Sequence, residues 1–197
     1  MPLKRAIFLD RDGVLNRTDV RDAKPYAPTR VEDFDILPDV AEALSSFKRA
    51  GFFLVVVTNQ PDVGNGKVER ETVEAMHQSL MRDLPIDALK VCYHKQSEGC
   101  PCRKPEPGML LDAAEEYGID VPNSFMIGDR AGDVLAGKSA GCRTVFIDLG
   151  YRSSEQTTQA DIITNSLPEA ADRILALLTQ EAPKNLRVGA VEIREVP

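Results

Sequence analysis

Apolar residues along the chain fall into two alternating patterns: short unbroken runs, and longer stretches with an apolar position every three or four residues. Arg5–Leu9 reads as a buried strand ending at Asp10. Phe52–Thr58 is continuous, uncharged and β-branched, the pattern of a central parallel strand covered on both faces. Shorter runs at Lys90–Cys92, Phe125–Ile127 and Thr144–Ile147 predict three more strands. Helical spacing fills the gaps. Asp39–Ala50 aligns Val40, Leu44 and Phe47, with Asp39 and Glu42 as a capping box and Gly51 as the stop. Glu69–Leu84 aligns Val73, Met76, Leu80 and Leu84, and Pro107–Tyr117 has Gly118 beyond its end. Asp133–Ala140 ends at Gly141, and a capping box at Ser166–Glu169 starts a last helix through Leu178. The alternation predicts an α/β fold: a doubly wound, mostly parallel sheet with helices on both faces. Two irregular stretches, Asn16–Leu37 and His94–Pro105, are long enough to suggest function. The expected organisation is one domain over residues 1–180 and a tail over 181–197. In the tail, the alternation of Val188, Val191, Ile193 and Val196 fits an edge strand, a subunit contact or disorder equally.

Composition narrows the partners. A chain of 197 residues can bury a sizeable single core. Its 24 Lys+Arg against 31 Asp+Glu give a net charge of −7, which argues against a nucleic-acid partner because no basic stripe is available. No apolar stretch approaches the roughly 20 residues of a membrane span. The first apolar run is too short for a signal peptide, so a cytoplasmic protein is expected. The four cysteines are then thiols or metal ligands in preference to a disulfide framework.

Chemistry collects at the strand ends, where ligands bind in open α/β sheets. The first strand runs into Asp10-Arg11-Asp12-Gly13 and the central one into Thr58-Asn59-Gln60. The strand at Phe125 runs into Gly128-Asp129-Arg130-Ala131-Gly132-Asp133, and Lys104 precedes a helix start. Carboxylates gathered on one edge repel one another unless a hard divalent cation sits among them, and an all-oxygen set suits Mg²⁺. A cation beside a lysine and a hydroxyl makes an anion site, hence metal-assisted phosphoryl chemistry. Taken singly, each piece has an ordinary explanation as a cap, a turn or a strand end. Their joint order does not.

In that order the motifs resemble the haloacid dehalogenase superfamily of phosphohydrolases. Phe8–Leu15 is similar to its first motif, Val57–Gln60 to its second, Arg103–Pro105 to its third and Ile127–Asp133 to its fourth, together covering residues 5–150. The resemblance implies a Rossmann-like fold and an aspartyl-phosphate mechanism. Asp10 would be the nucleophile and Asp12 the general acid and base. Thr58 would hydrogen-bond the phosphoryl group, with Lys104 neutralising its charge. Mg²⁺ would be held by the Asp10 carboxylate, the Asp12 backbone carbonyl and Asp129, with Asp133 in a second-layer or water-mediated role.

Cys92, His94, Cys100 and Cys102 place three thiols and an imidazole within eleven residues. This is a complete tetrahedral zinc set with no open position, so a structural metal is expected. Free thiols and a redox Cys-x-Cys pair are the competing readings. Holding Cys102 would position Arg103 and Lys104 beside it. The loop narrows the resemblance to a capless subgroup that includes heptose bisphosphate and histidinol-phosphate phosphatases. No stretch is long enough for a separate cap domain. There the zinc loop, the insertion after the first motif and the loop after the second shape the substrate pocket. Their counterparts are Cys92–Cys102, Asn16–Pro38 and Gln60–Lys67. The chain departs from the heptose pattern after Gln60, where Pro61-Asp62-Val63-Gly64-Asn65-Gly66 puts an acid near an anionic substrate.

Arg103 and Arg130 are candidate grips for a second phosphate or a sugar hydroxyl, and Asn59 and Gln60 for substrate or nucleophile. Turn and surface roles stay open for each. His77 reads as a core-edge histidine and Cys142 as a small buried hydrophobe. The expected partner is a small phosphorylated metabolite, a sugar phosphate, acted on by a monomer or weak homodimer. The alternatives are a histidinol-phosphate or other alcohol-phosphate hydrolase, a phosphotransferase, and an inactive binding module of the same fold.

Overall fold

A computed structural model describes residues 2–22, 24–151 and 159–181. Six strands form one parallel sheet: β1 (Ala6–Leu9), β4 (Phe53–Asn59), β5 (Ala88–Cys92), β6 (Phe125–Gly128), β7 (Arg143–Ile147) and β8 (Ile162–Thr164). Their order is β5-β4-β1-β6-β7-β8. The chain therefore builds outward from β1 to β5, then crosses back to β6 on the other side of β1. Connections diverge around the carboxyl end of β1, the position where such sheets hold ligands.

Strand alternation sends neighbouring side chains to two separate cores. Ile7 and Leu9 of β1, with Leu54 and Val56 of β4, meet α1 (Val40–Arg49), α3 (Arg70–Asp83) and α6 (Leu167–Glu181) through Leu44, Phe47, Leu80 and Ile174. Ala6, Phe8, Val55 and Val57 face α4 (Gly108–Tyr117) and α5 (Ala131–Ala140), packing with Met109, Leu110, Ala113 and Ala136. Covering both faces is why β1 and β4 read as apolar without interruption.

The expected elements are found within one or two residues of their bounds, except that the last helix runs on three residues past Leu178 to Glu181. One local expectation fails: Asp39 precedes α1 in a left-handed conformation (φ 64°) and makes no side-chain capping bond. In that conformation the carboxyl does not reach the first-turn amides, and the backbone bond from Ala43 N to Asp39 O remains. Four strands and α-helices of the described residues were not anticipated: β2 (Asp19–Arg21) and β3 (Lys24–Tyr26), which form an antiparallel hairpin, the single turn α2 (Pro61–Gly64), and β8. Each is three or four residues long, too short for a period to register. Residues 182–197, with the Val188–Val196 alternation, lie outside the described residues. Among the described residues no helix is long and apolar enough to cross a membrane.

The amino ends of β1 and β6 are joined by Ser124, which is fully buried. Its Oγ accepts from Ala6 N at 2.8 Å and donates to Asp120 O at 2.6 Å. Replacing it leaves a buried amide unanswered. Ser124→Ala is expected to lower stability by about 1–3 kcal/mol, read as a lower urea midpoint at unchanged m-value.

Candidate active site

Side chains from the carboxyl ends of β1, β4 and β6, and from the loops after them, line a cleft of about 630 Å³. Asp10 follows β1 and is buried, and so is Lys104, which arrives from the loop between β5 and α4. The Lys104 ammonium donates to Asp10 Oδ1 at 2.8 Å and Val57 O at 2.7 Å, and pairs with Asp133 Oδ1 at 2.6 Å. Burial alone would push this lysine's pKa down. The two carboxylates reverse that and hold it charged.

One lysine does not balance the acids. Oxygens of Asp10, Asp129 and Asp133 lie within 4.8 Å of one another. Both oxygens of Asp129 are buried with no hydrogen-bond partner. Asp129 is raised above the ordinary carboxylate range by burial and by Asp10 and Asp133. Burial, with Asp133 and Asp12 nearby, pushes Asp10 up to about 6 against the pull of Lys104. Orphaned buried carboxylate oxygens and a hard all-oxygen set fit a magnesium ion, with Asp10 and Asp129 as side-chain ligands. Asp133 is already engaged on both oxygens, by Lys104 and by the Arg130 amide at 3.0 Å, which suits an outer role. Gly13 explains the fourth position of the first motif: its φ is +87°, and a Cβ there would run into the Asp129 carboxylate.

Asp12 is turned differently. Its carboxylate accepts from Arg11 Nε and Nη2, from Asn16 Nδ2 at 3.0 Å and from Gln60 Nε2 at 2.7 Å. Burial pushes its pKa up, but the Arg11 charge and these bonds outweigh it and leave Asp12 below its ordinary value. Gln60 Nε2 also donates to Thr58 Oγ1 at 2.9 Å, which leaves the Thr58 hydroxyl proton free for a ligand. Asn59 is engaged elsewhere: its amide donates to Lys104 O at 3.0 Å and accepts from Lys104 N at 3.1 Å. It thus fixes the lysine's backbone while also lining the cleft. Arg103 lines the cleft with Nη1 buried and unpartnered. Arg130 also lines the cleft, while its Nη2 donates to Pro25 O and so ties down the β2–β3 hairpin that forms one wall. The hairpin lies within the Asn16–Pro38 insertion expected to shape the pocket; the contacts of Arg11 and Asn16 with Asp12 were not foreseen. The one hint is a basic residue set between two acids.

The predicted sulfur–nitrogen cluster does assemble. Ligand atoms of Cys92, His94, Cys100 and Cys102 all lie within 4.8 Å of one another, and the close pairs are 3.2–3.6 Å apart. Around a tetrahedral Zn²⁺ with sulfur at about 2.3 Å, such atoms would be about 3.7 Å apart, so the donor set fits the ion. The loop is anchored independently where Gly108 N donates to Pro101 O at 3.0 Å; a Cβ on Gly108 would strike that carbonyl.

Comparison with known proteins agrees with this geometry. The HAD-hydrolase-like family model matches residues 101–170. The D-glycero-beta-D-manno-heptose-1,7-bisphosphate 7-phosphatase of Pasteurella multocida is 36% identical over 188 residues, covering 89% of this chain and 99% of that protein. The chain belongs to the haloacid dehalogenase-like phosphatases. The Helicobacter pylori (strain 26695) phosphatase of the same name is 36% identical over 146 residues, 71% of this chain and 81% of its own. Among solved structures, D,D-heptose 1,7-bisphosphate phosphatase from B. bronchiseptica, complexed with magnesium and phosphate, superposes with a TM-score of 0.76 at 27% identity. It covers 88% of this chain and 99% of that one. This haloacid dehalogenase-like phosphatase is thus an enzyme whose fold matches that of a relative solved with magnesium and phosphate.

The raised Asp10 gives a pH test of the acidic edge. Magnesium binding requires the ionised carboxylate, so affinity should be flat well above about 6 and fall as pH drops through that value. Calorimetric titration is expected to show at least about a tenfold loss per pH unit on the acid side, and a steeper one where Asp129, also raised, takes up its proton as well.

Proposed function

We propose that this phosphatase is a Mg²⁺-dependent phosphomonoesterase working through an aspartyl-phosphate on Asp10, with D-glycero-D-manno-heptose 1,7-bisphosphate as substrate. The observation that carries the chemistry is Asp10 at 2.8 Å from a buried lysine, beside the orphaned Asp129 carboxylate. An Asp10 carboxylate oxygen attacks phosphorus and the ester P–O bond breaks. The leaving alkoxide takes the proton of Asp12. Water then attacks the acyl phosphate and gives its proton to the Asp12 carboxylate, and the bond between phosphorus and Asp10 breaks to release inorganic phosphate. An arriving phosphate dianion puts like charge beside Asp12 and favours the protonated acid that the first step needs. Thr58 donates its free hydroxyl proton to a phosphoryl oxygen, and Lys104 offsets phosphoryl charge. When bound, Mg²⁺ supplies positive charge against Asp10, Asp129 and the transferring phosphoryl group, the Asp12 backbone carbonyl completing the protein ligands.

A bisphosphate needs a second anion site. Arg103 supports one, since its Nη1 is buried in the cleft wall without a partner. Arg130 and Gln60 extend the polar lining. Names of the relatives point to removal of the 7-phosphate. One observation favours a second reading: Asp62 lines the cleft, paired with Lys67 at 3.3 Å, and an acid there suits an amino-alcohol phosphate such as histidinol phosphate. The Cys92–His94–Cys100–Cys102 cluster is read as a structural zinc site that fixes Arg103 and Lys104. Its clustered thiols suit a reducing cytoplasm. The enzyme is read as a monomer or weak homodimer.

Phosphate release measured side by side from heptose bisphosphate, histidinol phosphate and nucleotides should favour the heptose substrate. A preference for histidinol phosphate would transfer the assignment to the second reading. Asp10→Asn should abolish turnover with the circular dichroism unchanged, and substantial residual activity would remove Asp10 as nucleophile. Elemental analysis of protein purified without chelator should find one zinc per chain. Cys100→Ser should lower both zinc content and the thermal midpoint.

A further inference from the structure

Arg11 sits between the two aspartates of the first motif and is fully buried. A guanidinium stays charged, so every side of it must be answered in place. Three contacts do so. Nε and Nη2 face Asp12, the latter at 2.9 Å from both carboxylate oxygens. The ring of Phe34 lies 5.5 Å from the guanidinium carbon. Nη1 points to His77 Nε2 at 3.0 Å. Because a guanidinium only donates, His77 Nε2 must accept, which makes the imidazole neutral with its proton on Nδ1. Burial and then the Arg11 charge lower the His77 pKa to about 4, in keeping with that state.

His77 is on α3, 66 residues from Arg11 in sequence, and does not line the cleft. It lines a separate groove with Arg70, Glu74, Met81 and Tyr93. It therefore touches neither substrate nor the reacting atoms. Its ring nitrogen is nevertheless the acceptor that keeps Nη1 turned away from Asp12 and leaves the Nε–Nη2 edge flat against the carboxylate. Without that acceptor a buried cationic donor is unpaired, and the guanidinium must rotate to find another partner. Any rotation moves the carboxyl that Arg11 holds.

We infer that His77 is a positioning residue for phosphomonoester hydrolysis, acting through Arg11 to fix the Asp12 carboxyl. The inference rests on the proposed role of Asp12 as general acid and base. A misplaced acid slows departure of a poor leaving group, such as a sugar alkoxide. It matters much less for p-nitrophenolate, which leaves without a proton. General loosening of the fold would slow both alike.

The test is single-turnover phosphorylation of the enzyme by an alkyl phosphate and by p-nitrophenyl phosphate, with steady-state KM measured beside it. His77→Leu should slow the alkyl reaction about tenfold to a hundredfold, while p-nitrophenolate release slows no more than about threefold and KM holds. His77→Gln, whose amide oxygen can accept from Nη1, should recover most of the loss. Arg11→Lys keeps the charge but cannot reach Asp12 and His77 together, and should show the same substrate-dependent defect. It carries the test if the leucine variant does not fold. Equal slowing of both substrates, an unaffected His77→Leu, or no rescue by glutamine would overturn the inference. Asp12→Asn is run in parallel: full alkyl activity there would overturn the role of Asp12 itself, a separate outcome from failure at His77.

Discussion

Lys104, enclosed between Asp10 and Asp133 with its remaining donor on Val57 O, is the contact on which the acidic edge depends. Parallel strands deliver their carboxyl ends to one side of a sheet, and here those ends carry acids from two strands. Buried acids so close together resist ionisation, as the raised Asp10 and Asp129 show. One ammonium offsets part of that repulsion. Asp129 accepts no hydrogen bond on either oxygen, and the Arg130 Nε is 3.8 Å from one of them, so the edge is left short of positive charge. That deficit is what a divalent cation and, through it, a phosphate anion can answer.

Placement of Lys104 in turn draws on distant parts of the chain. Asn59, at the end of β4, holds both backbone polar groups of the lysine. The cysteine–histidine loop precedes it directly, and that loop is locked to the start of α4 through Gly108. A rigid sheet, one amide side chain and a loop with a metal-fitting cluster together aim a single cation. The other walls of the cleft come from loops and from the β2–β3 hairpin held by Arg130. Loops on a rigid scaffold are where substrate choice can vary without disturbing chemistry.

Asp10 and Asp12 are neighbours of the same residue type with opposite electrostatics. Asp10 shares its surroundings with other acids and is raised. Asp12 faces a buried arginine and two amides and is lowered. The proposed division of labour between nucleophile and acid–base follows from those surroundings, which Arg11 and, behind it, His77 create.

Much of this was legible in the sequence, for a physical reason. Burial on both faces makes β1 and β4 continuously apolar, and helices betray themselves by spacing, so the doubly wound sheet could be read from local pattern alone. The strand-end acids, Thr58, Lys104 and the cysteine–histidine loop were likewise visible, because chemistry needs particular residue types close to strand ends or to one another in sequence. What the pattern could not carry was partnership over long sequence distances. Asn59, a candidate for substrate or nucleophile, also holds the backbone of Lys104, 45 residues away. His77 looked like an ordinary core-edge residue until Arg11 was found against it. The charged hairpin strands and three-residue β8 have too few positions to show a period. Residue type and local spacing thus determined the sheet and the candidate residues at its edge. Which group each side chain faces, and so which acid is raised and which is held ionised, was decided only when burial brought separate segments together.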